Sequence, residues 1–235
     1  MGSVSLLCHL VLSVFYTYSI YVYIYELVPP EELNLIRNAN YGPFKYLTFW
    51  DLLMQWLWFT LAVLGGLTGG SQYRRGKPML QRILDFLFTA ILFPIALFVS
   101  VSFWTLFIID REMIFPVIYD TFFPLWLNHA IHTLPTIAVV GELLCCMHTF
   151  PSQRTGFLTI AAAALTYLLW VCYIAYNTGH WVYPILAQLH TVGRAGFIAG
   201  CCMVTGIFYF IGYGLQALRW GHESRHEDLI YHKRK

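Results

Sequence analysis

Residues 86–109 read FLFTAILFPIALFVSVSFWTLFII, a run without a charged side chain. At 1.5 Å per residue, a helix of this length crosses a hydrocarbon core of about 30 Å. Five further apolar runs of similar length surround it, at 6–25, 46–67, 122–147, 157–176 and 195–218. This spacing predicts an all-α, polytopic membrane protein with six transmembrane helices. In the first run Tyr16, Tyr18, Tyr21, Tyr23 and Tyr25 nearly alternate, as a strand would. Ile20, Val22 and Ile24 between them leave no polar face for the lumen of a barrel, so helix is the better reading.

The composition leads to the same class. Charged residues make up 11% of the 235 positions, against about 25% in a typical soluble domain. Hydrophobic residues reach 58% and aromatics 18%, more than a single core of this length can hide from water. The net charge is only +2, and the basic residues sit between apolar runs, so the footprint of a nucleic-acid partner is missing. Cys8, Cys145, Cys146, Cys172, Cys201 and Cys202 lie in or at the ends of apolar runs and read as small packing residues, not a disulfide framework. Cys145 and Cys146, at the end of a run, are also compatible with palmitoylation. No Lys or Arg precedes the first run, which is too long for the core of a secretory leader, and it is read as the first span.

The charges between the runs orient the chain. Arg74, Arg75, Lys77 and Arg82 in the second loop, Arg154 in the fourth, and Arg219, Arg225, Lys233, Arg234 and Lys235 in the tail share one side; Arg37, Lys45 and Arg111 stand on the other. This asymmetry places both termini in the cytosol. Residues 1–218 form one six-helix domain and 219–235 a polar, basic cytosolic tail.

Strongly polar side chains inside spans are expensive and mark candidate sites. Thr48, Asp51 and Gln55 in the second run are spaced to share one helical face, as are Asn128 and His132 in the fourth. Pro135 should kink the helix beside His132, because it cannot donate to the carbonyl of Ile131. Both groups start on the non-cytosolic side and can meet. A threonine hydroxyl near an imidazole suits nucleophilic acyl transfer: His132 would take the Thr48 proton, Asp51 would fix the imidazole tautomer, and Asn128 would donate to the oxyanion. Other readings of the same residues stay open. Thr48 can simply bond its own helix, and His132 can clamp two helices. His129 and His132 together can hold metal or haem in a redox protein. The polar faces can also belong to a non-enzymatic membrane regulator. Asp85 and Glu142 are expected to pair with basic loop residues.

Several motifs carry a resemblance that covers nearly the whole chain in order. KYLTF (45–49), DREMIFP (110–116), WLNHAIHT (126–133), FPSQRTG (150–156) and TGHWVYP (178–184) resemble stretches of the androgen-induced protein family, which takes in the androgen-dependent TFPI-regulating proteins. Phe115 stands where the family motif is expected to carry tyrosine. The resemblance implies a multi-pass membrane hydrolase that cleaves fatty acid esters of hydroxy fatty acids with a threonine nucleophile and a histidine. Thr48 and His132 match those two positions, while Asp51, Asn128 and His129 are supporting candidates from the residues alone. It implies no cofactor and no metal. The partners it implies are membrane lipids and a lipid ester entering from the bilayer. Endoplasmic reticulum and plasma membrane both stay open.

Depth constrains the pair. His132 lies about 15 Å below Phe122, whereas Thr48 lies only about 3 Å below Tyr46. They meet if the second helix starts near Pro43 with Lys45 snorkelling to the surface, and if 122–126 form an aromatic belt. The charge asymmetry itself is testable: tags at either terminus should be reached by antibodies only after cells are permeabilised, and access from outside would reverse the orientation or change the span count.

Overall fold

The computed structural model describes residues 3–30, 41–68 and 77–233. Arg37, Arg74, Arg75, Arg234 and Lys235 of the charge count lie outside them. Every regular element among the described residues is helical. Helix α1 (Ser3–Tyr21) runs into a π-helical turn (Val22–Glu26). A 3-10 turn (Gly42–Lys45) leads into α2 (Leu47–Thr68). Helix α3 (Met79–Leu87), a π-helical turn (Phe88–Leu92) and α4 (Phe93–Asp110) follow one another without a break. Then come α5 (Leu125–His132), α6 (Leu134–Cys145), α7 (Gln153–Thr178), the short α8 (Pro184–Gln188) and α9 (Thr191–Lys233).

Five stretches are long and apolar enough to cross a membrane: Ser3–Glu26, Leu47–Leu67, Met79–Met113, Gln153–Thr178 and Thr191–Gly221. The sixth expected run, 122–147, differs. It is split at Thr133 into α5 and α6, neither of which reaches that length. Pro135 occupies the first turn of α6, where its missing N–H costs nothing, and the chain restarts its helix there instead of bending through. The wide turn at Phe88–Leu92 sits just before Pro94 and has the same origin, since Pro94 cannot donate to the turn behind it. At the C-terminal end α9 continues past residue 218 as far as Lys233.

Burial is arranged for lipid. On α1, Leu7, Val11 and Val14 are each more than half exposed, whereas His9, Tyr16 and Ser19 are buried. The outer face is therefore apolar and the inner face carries the polar groups, the reverse of a soluble helix. Four of the cysteines read as packing residues, Cys8, Cys145, Cys172 and Cys202, instead stand exposed, and all six are free thiols. At the centre is α4, whose residues from Phe93 to Leu97 are all buried. Polar side chains join the helices where apolar surface gives no net drive: Ser13 Oγ meets Thr60 Oγ1 at 2.7 Å, Trp58 Nε1 donates to Leu84 O at 3.0 Å, and Thr136 Oγ1 donates to Ala96 O at 3.2 Å.

The approach of α7 to α9 depends on Gly156. A Cβ there would run into the ring and hydroxyl of Tyr209, which is fully buried. Gly156→Ala should therefore cost about 1–3 kcal/mol through overpacking. Gly196→Ala, where the added carbon meets nothing, should be near neutral. Thermal unfolding of the detergent-solubilised protein would rank the two.

Candidate active site

The break in the 122–147 run places His132 at the end of α5, facing the first turn of α2. Its Nδ1 lies 2.6 Å from Asn128 Oδ1 and 3.1 Å from the Asn128 carbonyl oxygen. Both partners are acceptors, so Nδ1 carries the proton and the neutral ring presents a lone pair at Nε2. That nitrogen is 3.3 Å from Thr48 Oγ1. The threonine hydroxyl thus donates to a histidine whose tautomer is already set, and an asparagine sets it. Phe103 stacks on the imidazole with centroids 3.4 Å apart and planes 6° off parallel, so the ring cannot tip. Trp104 Nε1 donates to His132 O at 3.2 Å and to Thr133 Oγ1 at 3.1 Å, taking up polar groups at the helix break.

The expected supporting residues fall into two groups. Asn128 is in place, its Oδ1 accepting from His132 Nδ1. Asp51 is not beside His132. Although it shares a face with Thr48, it is fully buried one layer deeper with Gln55 and Tyr16, and its carboxylate oxygens have no hydrogen-bond partner among the described residues. The contact to His132 Nδ1 expected of Asp51 is made instead by Asn128, which sits one turn before His132 on the same helix and needs no interhelical reach. His129 is exposed; its Nδ1 lies 3.0 Å from Thr133 Oγ1 and its ring stacks on Trp104. The two histidines face different partners and do not converge on one metal position.

Two tyrosines hold the start of the helix that carries Thr48. Tyr167 on α7 donates from its hydroxyl to Lys45 O at 3.0 Å. Leu47 N donates to the Tyr167 and Tyr183 hydroxyls, 2.9 and 3.1 Å away, which are 2.8 Å from each other. The first turn of α2, immediately before Thr48, is therefore tied to the opposite side of the bundle. Tyr183 lies in the TGHWVYP motif, but Tyr167 stands in an apolar run with nothing to single it out. Lys45, expected to snorkel outward, is instead buried, with Nζ 5.2 Å from the centre of the Tyr46 ring.

Thr48 and His132 open on a mainly apolar cavity. Leu27, Lys45, Phe123, Ile160, Cys201 and Thr205 are among the residues that line it. Tyr167 and Ile160, both lining residues, are seven positions apart on α7, so the cavity continues about 10 Å along that helix.

A family model described as FAR-17a/AIG1-like protein matches residues 4–217. The chain belongs to that family. It is 33% identical over 183 residues to the human androgen-dependent TFPI-regulating protein, covering 78% of this chain and 80% of the relative. It is 32% identical over 206 residues to the human androgen-induced gene 1 protein, covering 84% and 87%. A Schizosaccharomyces pombe relative named as a membrane protein is 23% identical over 177 residues, covering 75% and 76%. No solved structure matches the chain. Together with its apolar helices, these matches make this FAR-17a/AIG1-like chain an integral multi-pass membrane protein.

The tyrosine pair yields an expectation independent of activity. Tyr167→Phe leaves Lys45 O without its donor and should destabilise the protein by about 1–3 kcal/mol. Tyr183→Phe should cost less, because the Tyr167 hydroxyl still accepts from Leu47. Thermal unfolding of both variants, solubilised alike, checks the order.

Proposed function

We propose that this FAR-17a/AIG1-like protein is a membrane-embedded hydrolase that cleaves the ester bond of fatty acid esters of hydroxy fatty acids. The observation that carries the reading is the 3.3 Å approach of Thr48 Oγ1 to His132 Nε2, with the other ring nitrogen committed to Asn128. A threonine hydroxyl does not ionise unaided near neutral pH and needs a base as it attacks.

As Thr48 Oγ1 bonds to the ester carbonyl carbon, its proton passes to His132 Nε2. Asn128 Oδ1, accepting from Nδ1, stabilises the imidazolium that forms and holds the ring in register, the part played by the third member of a triad. Collapse of the tetrahedral adduct breaks the bond to the alcohol oxygen of the hydroxy acid. That oxygen takes the proton from Nε2 and leaves. Water then attacks the threonyl ester, gives its proton to His132, and releases the second fatty acid as Oγ1 recovers a proton. Oxyanion stabilisation falls to the start of α2. Leu47 N is engaged by the tyrosines, and Phe49 N and Trp50 N donate to Tyr46 O at 3.1 and 3.3 Å. Thr48's own N–H, at the positive end of the helix, carries no hydrogen bond among the described residues and is the proposed donor.

A mainly apolar cavity that continues about 10 Å along α7 suits the acyl chains of such an ester. The proposed topology has six crossings, the split α5–α6 hairpin making the sixth, with both termini cytosolic, so the pair sits toward the opposite leaflet.

The test combines turnover with labelling. Hydrolysis of a branched fatty ester should fall by about 10²–10⁴ in His132→Ala, the range for loss of a general base, and should be lost in Thr48→Ala. Asn128→Ala should lower kcat about tenfold or more with little change in KM, the pattern of a group acting in the transition state. A fluorophosphonate should modify Thr48 in the wild type, as found by peptide mass spectrometry, and label neither Thr48→Ala nor His132→Ala. Turnover surviving in Thr48→Ala would leave direct attack by water as the mechanism.

A further inference from the structure

A second polar cluster lies at the end of the bundle where α1 begins and α6 ends. His9 and Ser5 are four residues apart on α1 and share a helical face; Glu142 is in the last turn of α6, and Cys146, in extended backbone just past its end, is held to that turn by its N–H, which donates to Glu142 O at 2.8 Å. The two pairs oppose each other. His9 Nε2 is 2.7 Å from Glu142 Oε2, and Cys146 Sγ is 3.3 Å from Ser5 Oγ. The imidazole nitrogen, a carboxylate oxygen of Glu142 and the Cys146 sulfur all lie within 4.8 Å of one another. His9 and Glu142 are buried, while Cys146 is half-buried and gives the group its access from outside.

Behind Glu142 stands a supporting chain. His148 Nε2 is 3.2 Å from Glu142 Oε1 and is buried without a well-directed hydrogen bond, while Nδ1 is held 3.0 Å from Asp85 Oδ1. Asp85 in turn receives Lys77 Nζ at 2.7 Å and Gln81 Nε2 at 3.3 Å. A carboxylate that fixes a histidine, which fixes a second carboxylate, is how outer groups orient the ligands of a metal ion. Salt bridging alone explains Asp85 with Lys77, but not a histidine, a carboxylate and a cysteine brought to one point from two helices.

We propose that His9 Nε2, the Glu142 carboxylate and Cys146 Sγ form a binding site for a divalent cation of the zinc class, with His148 as the outer partner that orients Glu142. The mixed nitrogen, oxygen and sulfur donors are those that zinc accepts, and three protein ligands leave one coordination position open. The cation binds as Cys146 gives up its thiol proton to solvent, so that the sulfur coordinates as the thiolate. The ion would tie α1 to α6 at the end of the bundle remote from Thr48 and His132, independently of the ester chemistry.

Cobalt(II) is the probe, because a thiolate ligand gives it a charge-transfer band in the near ultraviolet. Full-length protein, purified in detergent and stripped with a chelator, should take up one cobalt per chain with that band. Zinc should then displace the cobalt and abolish the band. Cys146→Ser should lose the band, whereas Cys145→Ser, one residue away and exposed, should keep it. His148→Gln should keep it at saturation but bind cobalt about ten- to a hundredfold more weakly, the usual cost of losing an outer partner. The site is overturned by a wild type that shows no thiolate band, by a band that survives in Cys146→Ser, or by one that disappears in Cys145→Ser. Unchanged affinity in His148→Gln overturns the assignment of the outer partner.

Discussion

Lipid gives an unsatisfied backbone group nowhere to turn, and Pro135 creates such a problem in the middle of an apolar segment. It cannot close the helical turn begun at Ile131, and the chain responds by ending one helix at His132 and starting another at Leu134. The rest of the candidate site depends on that break. It ends the histidine's helix inside the bundle, exposes the His132 carbonyl to the Trp104 indole, and brings the imidazole to the depth at which α2 begins.

Much of the fold is legible in the sequence because the solvent is. Residues 46–67, 86–109, 157–176 and 195–218 are long enough, and poor enough in charge, for length alone to identify their helices. The split run is harder. Pro135 announces a disturbance but not its form, since a proline can kink a helix or restart it, and the choice depends on neighbours such as Trp104, whose indole bonds the His132 carbonyl at the break. The C-terminal continuation of α9 is missed for another reason: polar residues from 219 on mark where lipid ends, not where helix ends.

The candidate site is legible in proportion to how local its contacts are. Asn128 and His132 are one turn apart, so their meeting follows from periodicity, and Thr48 is marked by its motif. Asp51 shows the limit of that logic. Sharing a face with Thr48 puts it inside the bundle but not at the same level, and one helical turn is enough to move it to another layer. Tyr167 and Tyr183 reach Leu47 across more than 100 residues of chain, and no pattern within a single segment signals such contacts. The Glu142 pairing fails to match expectation in a similar way: its partners are His9 and His148, not a loop lysine or arginine, because the α1–α6 contact is long-range.

The ring of Phe103, laid flat on His132, does more than fill space. An aromatic face carries the negative lobe of its quadrupole toward whatever lies above it, and attracts a cation there by about 2 kcal/mol when both are away from water. In the proposed mechanism the neutral imidazole gains little from this, whereas the imidazolium formed as Thr48 gives up its proton gains most of it. For that proposed step the phenyl ring returns, at the moment charge appears, part of the solvation that burial in an apolar cavity takes away, as a solvent molecule fixed in place before the charge exists would.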